Sequence, residues 1–454
     1  MKNSINKPPS KPFIDMQAIL SPAEFKSRRD ELMSLVGVGN IAIIPSAAQA
    51  IRNNDAEYRY RQDSDFYYLT GLEEPESLAV FIPGREQGEY ILFCREFDET
   101  RAIWTGQHAG LEGACRDFGA DDAFPIDDLD DILPGMLENK ARLYYPMGRD
   151  KVLDQNLMEW LTQLRSKART GIHAPTEIIS LEHVIHEMRL IKSPFEIDLM
   201  REAASIAAAA HCRAMRNCAP GVNEYQIEAE LLHEFISKGA RNPAYLSIVA
   251  GGEHACVLHY IDNSDVLNDG DLLLIDAGAE YQYYASDITR TFPINGKFNQ
   301  PQHTLYSLVL EAQLAAIEQI YPGNTWNAPH EAAVTILTEG LIKLDLLQGN
   351  LQKLIEEEAY KPFYMHRTGH WLGMDVHDVG DYKIDDEWRI FEPGMTLTVE
   401  PGLYISPKSQ TVDTQWRGIG IRIEDDVLVT ETGYEVLSAD APKTIQDIEH
   451  MCAS

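Results

Sequence analysis

The chain alternates between two patterns of hydrophobic and polar positions. Short apolar runs of strand length occupy residues 40–44, 78–82, 90–94 and 142–145, and stretches with helical spacing lie between them. Strand and helix patterns that alternate in this way predict a compact α/β domain. We expect this domain to cover residues 1–179.

Two segments carry the chemistry of a helix N-terminus, residues 21–24 (SPAE) and 193–196 (SPFE). Each offers a serine cap, a proline at the first helical position and a glutamate at the third. The serine hydroxyl and the glutamate carboxylate can then satisfy free backbone amides reciprocally. After the second segment, small and apolar residues recur at helical spacing as far as His211. We therefore expect a second domain over residues 180–454.

The second domain carries carboxylates at the ends of apolar, strand-forming runs. Asp276 ends the run DLLLID, Glu400 ends MTLTVE, and Glu424 follows GIRI. Asp287 lies at the start of the β-prone run SDITRTF. Carboxylates are seldom buried unless they are paired or bind a metal. The pattern therefore indicates a cation site built on strands.

Asp276 and Asp287 are separated by a connection that suggests an antiparallel hairpin. Its midpoint falls between Tyr281 and Gln282, which would place the two aspartates directly opposite each other. Their Cβ atoms would then lie about 5 Å apart, where like charges destabilise a sheet. A divalent cation would remove that repulsion. Alternatively, one of the two aspartates is solvated at the end of the hairpin.

Three histidines, His366, His370 and His377, fall within one short segment, and spacing alone does not select a metal ligand among them. Four carboxylates and one imidazole form an oxygen-rich donor set that favours manganese or a similar divalent ion. Four carboxylates also balance two dications. Two such ions about 3.5–4 Å apart can activate one water and polarise a carbonyl. No G-x-S-x-G motif suggests a serine nucleophile.

The composition narrows the partners and the compartment. Acidic residues outnumber basic ones by 71 to 39 in the 454 residues, a formal charge of −32 that repels nucleic acid. No apolar run is long enough for a membrane span. The six cysteines are scattered and indicate a reducing compartment, the cytoplasm. The N-terminal stretch MKNSINKPPSKPFIDMQ lacks the apolar core of a secretory signal and suggests a short flexible lead-in.

Four segments of the second domain carry a recognisable pattern: residues 271–297, 370–380 (HWLGMDVHDVG), 398–405 (TVEPGLYI) and 418–425 (GIGIRIED). Together they resemble the aminopeptidase P (Xaa-Pro aminopeptidase) family of pita-bread metallopeptidases. The aromatic-rich residues 58–71 also look like the N-terminal domain of that family. The resemblance implies an α+β fold with an N-terminal α/β domain and a C-terminal pita-bread (creatinase/methionine aminopeptidase-like) catalytic domain.

The resemblance further implies a hydrolase that removes the N-terminal residue from peptides with proline at the second position. A hydroxide bridging two divalent metals, manganese above all, would attack the bond. Asp287 and Glu424 would bridge the metals, and Glu400 would serve as general acid–base. The matched metal ligands are Asp276, Asp287, His370, Glu400 and Glu424. The matched pocket residues are His259, His366, His377 and Arg422, with Tyr404 nearby.

One departure from the family pattern is visible, because Arg367 and Gly369 stand between His366 and His370. This leaves the fit of the proline pocket open. The alternatives are a prolidase, which cleaves Xaa-Pro dipeptides, and a non-catalytic pita-bread module that binds proteins. The family also implies a homodimer or tetramer. Trp104 would then be either a wall residue of a neighbouring site or a packing residue.

Overall fold

The structure is a computed structural model that describes residues 21–453. The described chain forms two compact units that separate between Ile185 and His186. Both contain helices and strands, as expected for an α+β protein. The expectation for the N-terminal stretch up to residue 17 lies outside the described range.

The first unit is built around a six-stranded mixed sheet with the order β6-β5-β4-β1-β7-β8. The four apolar runs predicted from the sequence form β1, β4, β5 and β7. The strands of this unit are β1 (Ile41–Pro45), β2 (Ile51–Asn53), β3 (Ala56–Glu57), β4 (Leu78–Phe81), β5 (Tyr90–Cys94), β6 (Asp122–Pro125), β7 (Arg142–Tyr144) and β8 (Glu177–Ile179).

Helices flank this sheet, and their apolar faces complete its core. The buried residues of α6 pack with those of β1, β4 and β5 in one hydrophobic cluster. The helices of this unit are α1 (Pro22–Val36), α2 (Ser64–Thr70), α3 (Glu99–Thr105), α4 (Gly110–Phe118), α5 (Leu129–Leu137) and α6 (Lys151–Ser166), and the boundary between the two units falls within α7 (Leu181–Leu190).

Both predicted helix starts are observed. Ser21 accepts a hydrogen bond from the backbone N–H of Glu24 at the start of α1. Ser193 caps the helix that begins at Pro194, and the carboxylate of Glu196 accepts a hydrogen bond from the Ser193 backbone N–H in return. Such caps stabilise a helix by about 1 kcal/mol each.

The second unit contains the carboxylate-bearing runs. Its helices are α8 (Pro194–Asn217), α9 (Glu224–Ser237), α10 (Gln300–Ile317), α11 (Ala328–Lys343), α12 (Leu351–Glu356) and α13 (Ile445–Cys452). Its strands are β9 (Asn242–Pro243), β10 (Ile248–Gly251), β11 (Leu272–Asp276), β12 (Ala279–Tyr281), β13 (Tyr284–Ala285), β14 (Thr289–Pro293), β15 (Lys383–Ile384), β16 (Glu387–Trp388), β17 (Thr396–Val399), β18 (Gly402–Ile405), β19 (Ile419–Arg422), β20 (Asp425–Val429) and β21 (Tyr434–Val436).

Strands of this unit form small antiparallel sheets, chiefly β10-β11-β14, β17-β20-β21 and β18-β19. An isolated β-bridge between Thr289 and Glu424 connects β14 with the turn between β19 and β20. One large hydrophobic cluster joins these strands to α8, α9, α10 and α11. Strand ends from separate parts of the chain thereby meet over one core. In the described range, no helix combines the length and hydrophobicity that crossing a bilayer requires.

Candidate metal centre

The hairpin that carries Asp276 and Asp287 exists, but its predicted register is wrong. Asp276 on β11 lies opposite Thr289 on β14, not opposite Asp287. Gln282 and Tyr283 form a tight turn in which both have positive φ, and this turn sets the register for the whole hairpin. Asp287 lies in the irregular stretch just before β14. The two aspartates therefore approach each other at a break in the ladder.

Glu400 and Glu424 come from two other strand ends. Glu400 directly follows β17, and its backbone N–H is donated to the carbonyl of Thr368. Glu424 lies between β19 and β20, and its carboxylate accepts the hydroxyl of Thr289 at 2.6 Å. The bridge between Thr289 and Glu424 thus ties the first hairpin to the second pair of strands.

The structure distinguishes His370 from the other two histidines of its segment. The carbonyl of Trp371 accepts a hydrogen bond from Nδ1 of His370 at 2.9 Å, so this nitrogen carries the proton. Nε2 faces the cavity carboxylates and lies 3.3 Å from a carboxylate oxygen of Asp287. A histidine whose one nitrogen is held by a carbonyl presents the other in the form that binds metal.

Close backbone approach fixes the segment before His370. A Cβ atom on Gly369 would collide with the backbone carbonyl of Thr398, and one on Gly278 would collide with that of Ser286. Only glycine fits such contacts. The carbonyl of His370 in turn accepts the backbone N–H of Thr398. Gly369, which departs from the family pattern, is therefore explained by packing against β17.

All nine predicted site residues line one cavity of about 370 Å³. They are His259, Asp276, Asp287, His366, His370, His377, Glu400, Arg422 and Glu424. Asp287, His370 and Glu424 each offer an atom within 4.8 Å of the others, a spacing suited to one metal ion. The remaining wall is formed by Leu258, Arg367, Gly369 and Tyr382.

Burial and mutual repulsion make the cavity carboxylates difficult to ionise. Burial and the neighbouring Asp276 raise the pKa of Asp287 above its usual value. Burial, followed by repulsion from Asp287 and Glu400, raises the pKa of Glu424 well above the ordinary range. Burial also raises the pKa of Glu400 to about 7, against the opposing influence of His370 and Arg422. Close cations would remove this penalty, so the donor set fits divalent metals.

His370 responds in the opposite direction. Burial alone would lower its pKa, but Asp287 and Glu400 raise it to about 9. The carboxylates that would hold a metal therefore favour the protonated, positively charged form of the His370 imidazole. A divalent ion would replace the proton on this histidine.

Arg422, Tyr404 and His366 form a hydrogen-bonded chain beside the carboxylates. Arg422 donates to Asp276 and, at 3.1 Å, to the hydroxyl of Tyr404. That hydroxyl donates to Nε2 of His366 at 2.9 Å, while Nδ1 of His366 donates to the carbonyl of Arg367. Burial and Arg422 lower the pKa of His366 to about 4, so its imidazole is neutral at physiological pH.

The other two histidines are more open to solvent. The ring of His377 packs edge-on against His370, with centroids 4.4 Å apart. Burial, and then His370, lower the pKa of His377. His259 is exposed on the cavity wall. Both lie where they can reach a bound substrate.

Sequence reasoning missed three residues of the site. The hydroxyl of Tyr245 lies 2.5 Å from one oxygen of each of Asp276 and Asp287. Asp426 accepts the backbone N–H of Asp287 at 3.1 Å. Thr289 contacts Glu424, and strand alternation from Asp287 could have indicated it. Tyr245 has no comparable signal in the sequence.

A cavity that gathers strand-borne carboxylates and one oriented histidine is typical of a metal-dependent hydrolase. Comparison with known proteins agrees. Residues 198–431 match the family model "Metallopeptidase family M24", and residues 25–144 match "Aminopeptidase P, N-terminal domain".

Relatives extend this match over almost the whole chain. The "Xaa-Pro aminopeptidase" of Escherichia coli (strain K12) is 45% identical over 95% of this chain and 97% of its own length. The structure of Pseudomonas aeruginosa aminopeptidase PepP superposes with a TM-score of 0.94 at 55% identity, covering 96% of this chain and 98% of the other. A Zn-substituted E. coli aminopeptidase P in complex with product superposes with a TM-score of 0.93 at 44% identity, covering 96% of this chain and 99% of the other.

The chain therefore belongs to the aminopeptidase P group of metallopeptidase family M24, and it is a metal-dependent aminopeptidase. The expected α+β fold with a C-terminal pita-bread catalytic domain is confirmed.

Proposed function

We propose that this protein removes the N-terminal residue from peptides whose second residue is proline, using two divalent metal ions. One observation carries the proposal: the four carboxylates and His370 converge on one cavity in a chain closely similar to an Xaa-Pro aminopeptidase. The non-catalytic alternative is disfavoured, because each of the five matched ligand positions keeps a side chain that can bind metal.

The residues that would hold the metals are Asp276, Asp287, His370, Glu400 and Glu424. The ligand atoms of Asp287, Glu424 and His370 already cluster closely, and we propose, as the family resemblance implies, that both ions would share Asp287 and Glu424. Manganese is the proposed metal because oxygen donors dominate the set. When bound, the two ions would polarise the scissile carbonyl and lower the pKa of an attacking water.

The side chains then divide the remaining work. Glu400 accepts the proton of the attacking water and delivers it to the departing proline nitrogen. His377 donates a hydrogen bond to the oxygen of the scissile carbonyl as negative charge develops there. Arg422 keeps Asp276 oriented through the hydrogen bond between them, and Tyr404 anchors Arg422 in turn. His259 and His366 line the substrate side of the cavity.

Selection for proline follows from the chemistry of the bond. The nitrogen of an Xaa-Pro bond carries no hydrogen, so the site needs no acceptor for an amide N–H. The proline ring instead needs an apolar wall, for which Leu258 and Tyr382 are the candidates. A free amino group at the start of the substrate is attracted by the carboxylates, which limits cleavage to the first residue.

A pair of substrates tests the proposal. The manganese-loaded protein is offered an Xaa-Pro-Yaa tripeptide and an Xaa-Pro dipeptide, and the chelated protein serves as control. We expect metal-dependent cleavage of the tripeptide. Cleavage of the dipeptide alone would identify a prolidase. If neither peptide is cleaved, the protein-binding alternative is the better account.

The compartment and the assembly are also part of the proposal. All six cysteines are free, which supports a reducing compartment such as the cytoplasm. Ile103 and Trp104 on α3 are 82% and 84% exposed, and exposed large apolar side chains of this kind support self-association into a dimer or tetramer. Gel filtration with light scattering measures the mass of the assembly in solution. A mass equal to that of one chain would refute the proposed self-association.

A further inference from the structure

Two arginines line the cavity, and they differ in how their charge is compensated. Arg422 is buried and forms an ion pair with Asp276. Arg367 is exposed, and within residues 21–453 no carboxylate lies within ion-pair distance of it. Its charge is available to a ligand.

Neutral groups hold Arg367 in place. Its Nη2 donates to the side-chain oxygen of Asn327, while the amide nitrogen of Asn327 donates to Glu331 and so fixes the orientation of the amide. The guanidinium carbon lies 5.1 Å from the ring centroid of Trp388 on β16. The ammonium of Lys383 lies 4.5 Å from the centroid of the same ring, so a second cation lies close to Arg367.

This arrangement leaves most of the guanidinium free. Arginine has five N–H donors in a planar fork that matches a carboxylate. Among the residues that the structure describes, Asn327 alone accepts a hydrogen bond from the guanidinium of Arg367. Stacking on Trp388 and the bond to Asn327 reduce the conformational entropy that Arg367 would lose when it binds an anion. The residue is therefore preorganised for a carboxylate.

The direction in which a peptide enters decides which carboxylate is available. In the proposed function, the free amino group binds at the metal-holding carboxylates, so the chain beyond the proline extends away from them, and Arg367 belongs to the lining of the same cavity. We propose that Arg367 binds a carboxylate on the third residue of the substrate and gives this enzyme a preference for such peptides. This inference rests on the proposed function. Either the free C-terminus of a tripeptide or an acidic third side chain supplies the required group.

The test uses three substrates that differ only at the third residue: Ala-Pro-Ala, its C-terminal amide, and Ala-Pro-Asp-amide. Values of kcat/KM are measured with the manganese-loaded protein at low ionic strength. We expect the free acid to exceed the amide by about fivefold, the range of a partly exposed ion pair. The aspartyl amide should exceed the alanyl amide only if an acidic side chain also reaches Arg367.

Variants assign the preference to this residue. In Arg367→Gln the ratio of acid to amide should fall to about one, with the loss in KM rather than kcat. Arg367→Lys should retain part of the ratio, because it keeps the charge without the fork. Arg216→Gln removes an exposed arginine of α8 outside the cavity and should leave the ratio unchanged. Cleavage of the amide by each variant shows that it is folded.

The outcomes separate the two proposals. If the wild type cleaves acid and amide equally well, or if Arg367→Gln keeps the wild-type ratio, the carboxylate preference is wrong while the aminopeptidase proposal stands. If the wild type cleaves none of the three tripeptides, both proposals fall. A preference for both the free acid and the aspartyl amide that disappears in Arg367→Gln would extend the specificity to longer peptides.

Discussion

Glu424 and Asp425 are adjacent and both buried, yet the protein treats their charges in opposite ways. Glu424 faces the cavity, where burial and other carboxylates raise its pKa well above the usual range. Asp425 faces the other side of the strand. Burial would raise its pKa too, but Arg290 and Lys443, each within 2.6 Å, hold it well below its usual range.

The difference shows where the protein supplies its own cations. Asp425 also accepts hydrogen bonds from Gln313 and Ser438, so its charge is fully compensated. Asp378 is handled similarly, by Arg189 and Lys192. The cavity carboxylates have fewer protein cations than negative charges. The carboxylates paired with protein cations therefore stabilise the fold, whereas the cavity carboxylates need external cations to balance their charge.

Removing a cavity carboxylate should produce the largest effect, and that effect should fall on catalysis and metal binding while the fold is kept. In Asp287→Ala we expect kcat/KM to fall by at least ~10⁴-fold, about 5 kcal/mol, because the metals would lose a shared ligand. Metal content after dialysis should fall in parallel, while the far-UV circular dichroism spectrum stays unchanged. The exposed Asp440→Ala is the control. Full activity in Asp287→Ala would contradict its role as a ligand of both ions.

Removing the compensated carboxylate should instead damage the fold. In Asp425→Ala, Arg290 and Lys443 would lose their shared carboxylate, and the buried charge of Arg290 would keep only backbone carbonyls as acceptors. We therefore expect the free energy of unfolding to drop by about 4 kcal/mol. Urea denaturation of the metal-free protein measures this loss. A drop below about 1 kcal/mol would mean that the two clusters do not differ as argued.

The pH dependence should also separate the two clusters. Glu400 has its pKa raised to about 7 in the folded protein, from an ordinary value of 4.5. Its favourable contribution is therefore complete below pH 4.5 and is lost as the pH rises through 7. In chelator, Glu400→Gln should be more stable than wild type at pH 8 by about 3 kcal/mol, and nearly equal to it at pH 4.5.

Thermal unfolding of both proteins across this pH range measures the difference. Excess manganese should reverse the order at pH 8, because the metal binds the wild-type carboxylate. An advantage of the glutamine variant that does not change with pH would show that Glu400 is not strained by its charge.

The smallest effect is expected where an ion pair has good geometry but little burial. Arg201 contacts Glu435 through two hydrogen bonds of 2.7 and 2.8 Å, yet both side chains are about two-fifths exposed. Glu435→Gln should therefore cost only about 0.5 kcal/mol. Measured by urea denaturation beside Asp425→Ala, it would show how much of the difference comes from burial. A loss as large as that of Asp425→Ala would remove burial as the explanation.

The strands that carry the site could be predicted from the sequence, but the register in which they pair could not. Apolar runs located the strands that carry the carboxylates, and their antiparallel pairing followed from the short connection. The register failed by two residues because the turn at Gln282 and Tyr283 lacks the Asn-Gly or Gly pattern that usually marks a tight turn. A midpoint estimate could not replace that signal.

Contacts between distant segments were beyond sequence reasoning. Tyr245 reaches Asp276 from 31 residues away, because β9 pairs with β12 and brings the segment that follows it over the site. His370 was selected from the sequence only by family resemblance. In the structure, the carbonyl of Trp371 provides the physical reason, since it orients the imidazole. The position of a backbone carbonyl cannot be predicted from the order of side chains along the sequence.

The missing side chain at Gly369 has a practical consequence for redesign. Main-chain atoms of adjacent segments approach closely there, so this part of the cavity lining tolerates no larger residue. Leu258, Arg367 and Tyr382 line the same cavity with side chains that can be exchanged. Directed evolution towards new substrates should therefore concentrate its mutations on these three positions and keep Gly369 constant, since variants at Gly369 would fail to fold before selection could act on their specificity.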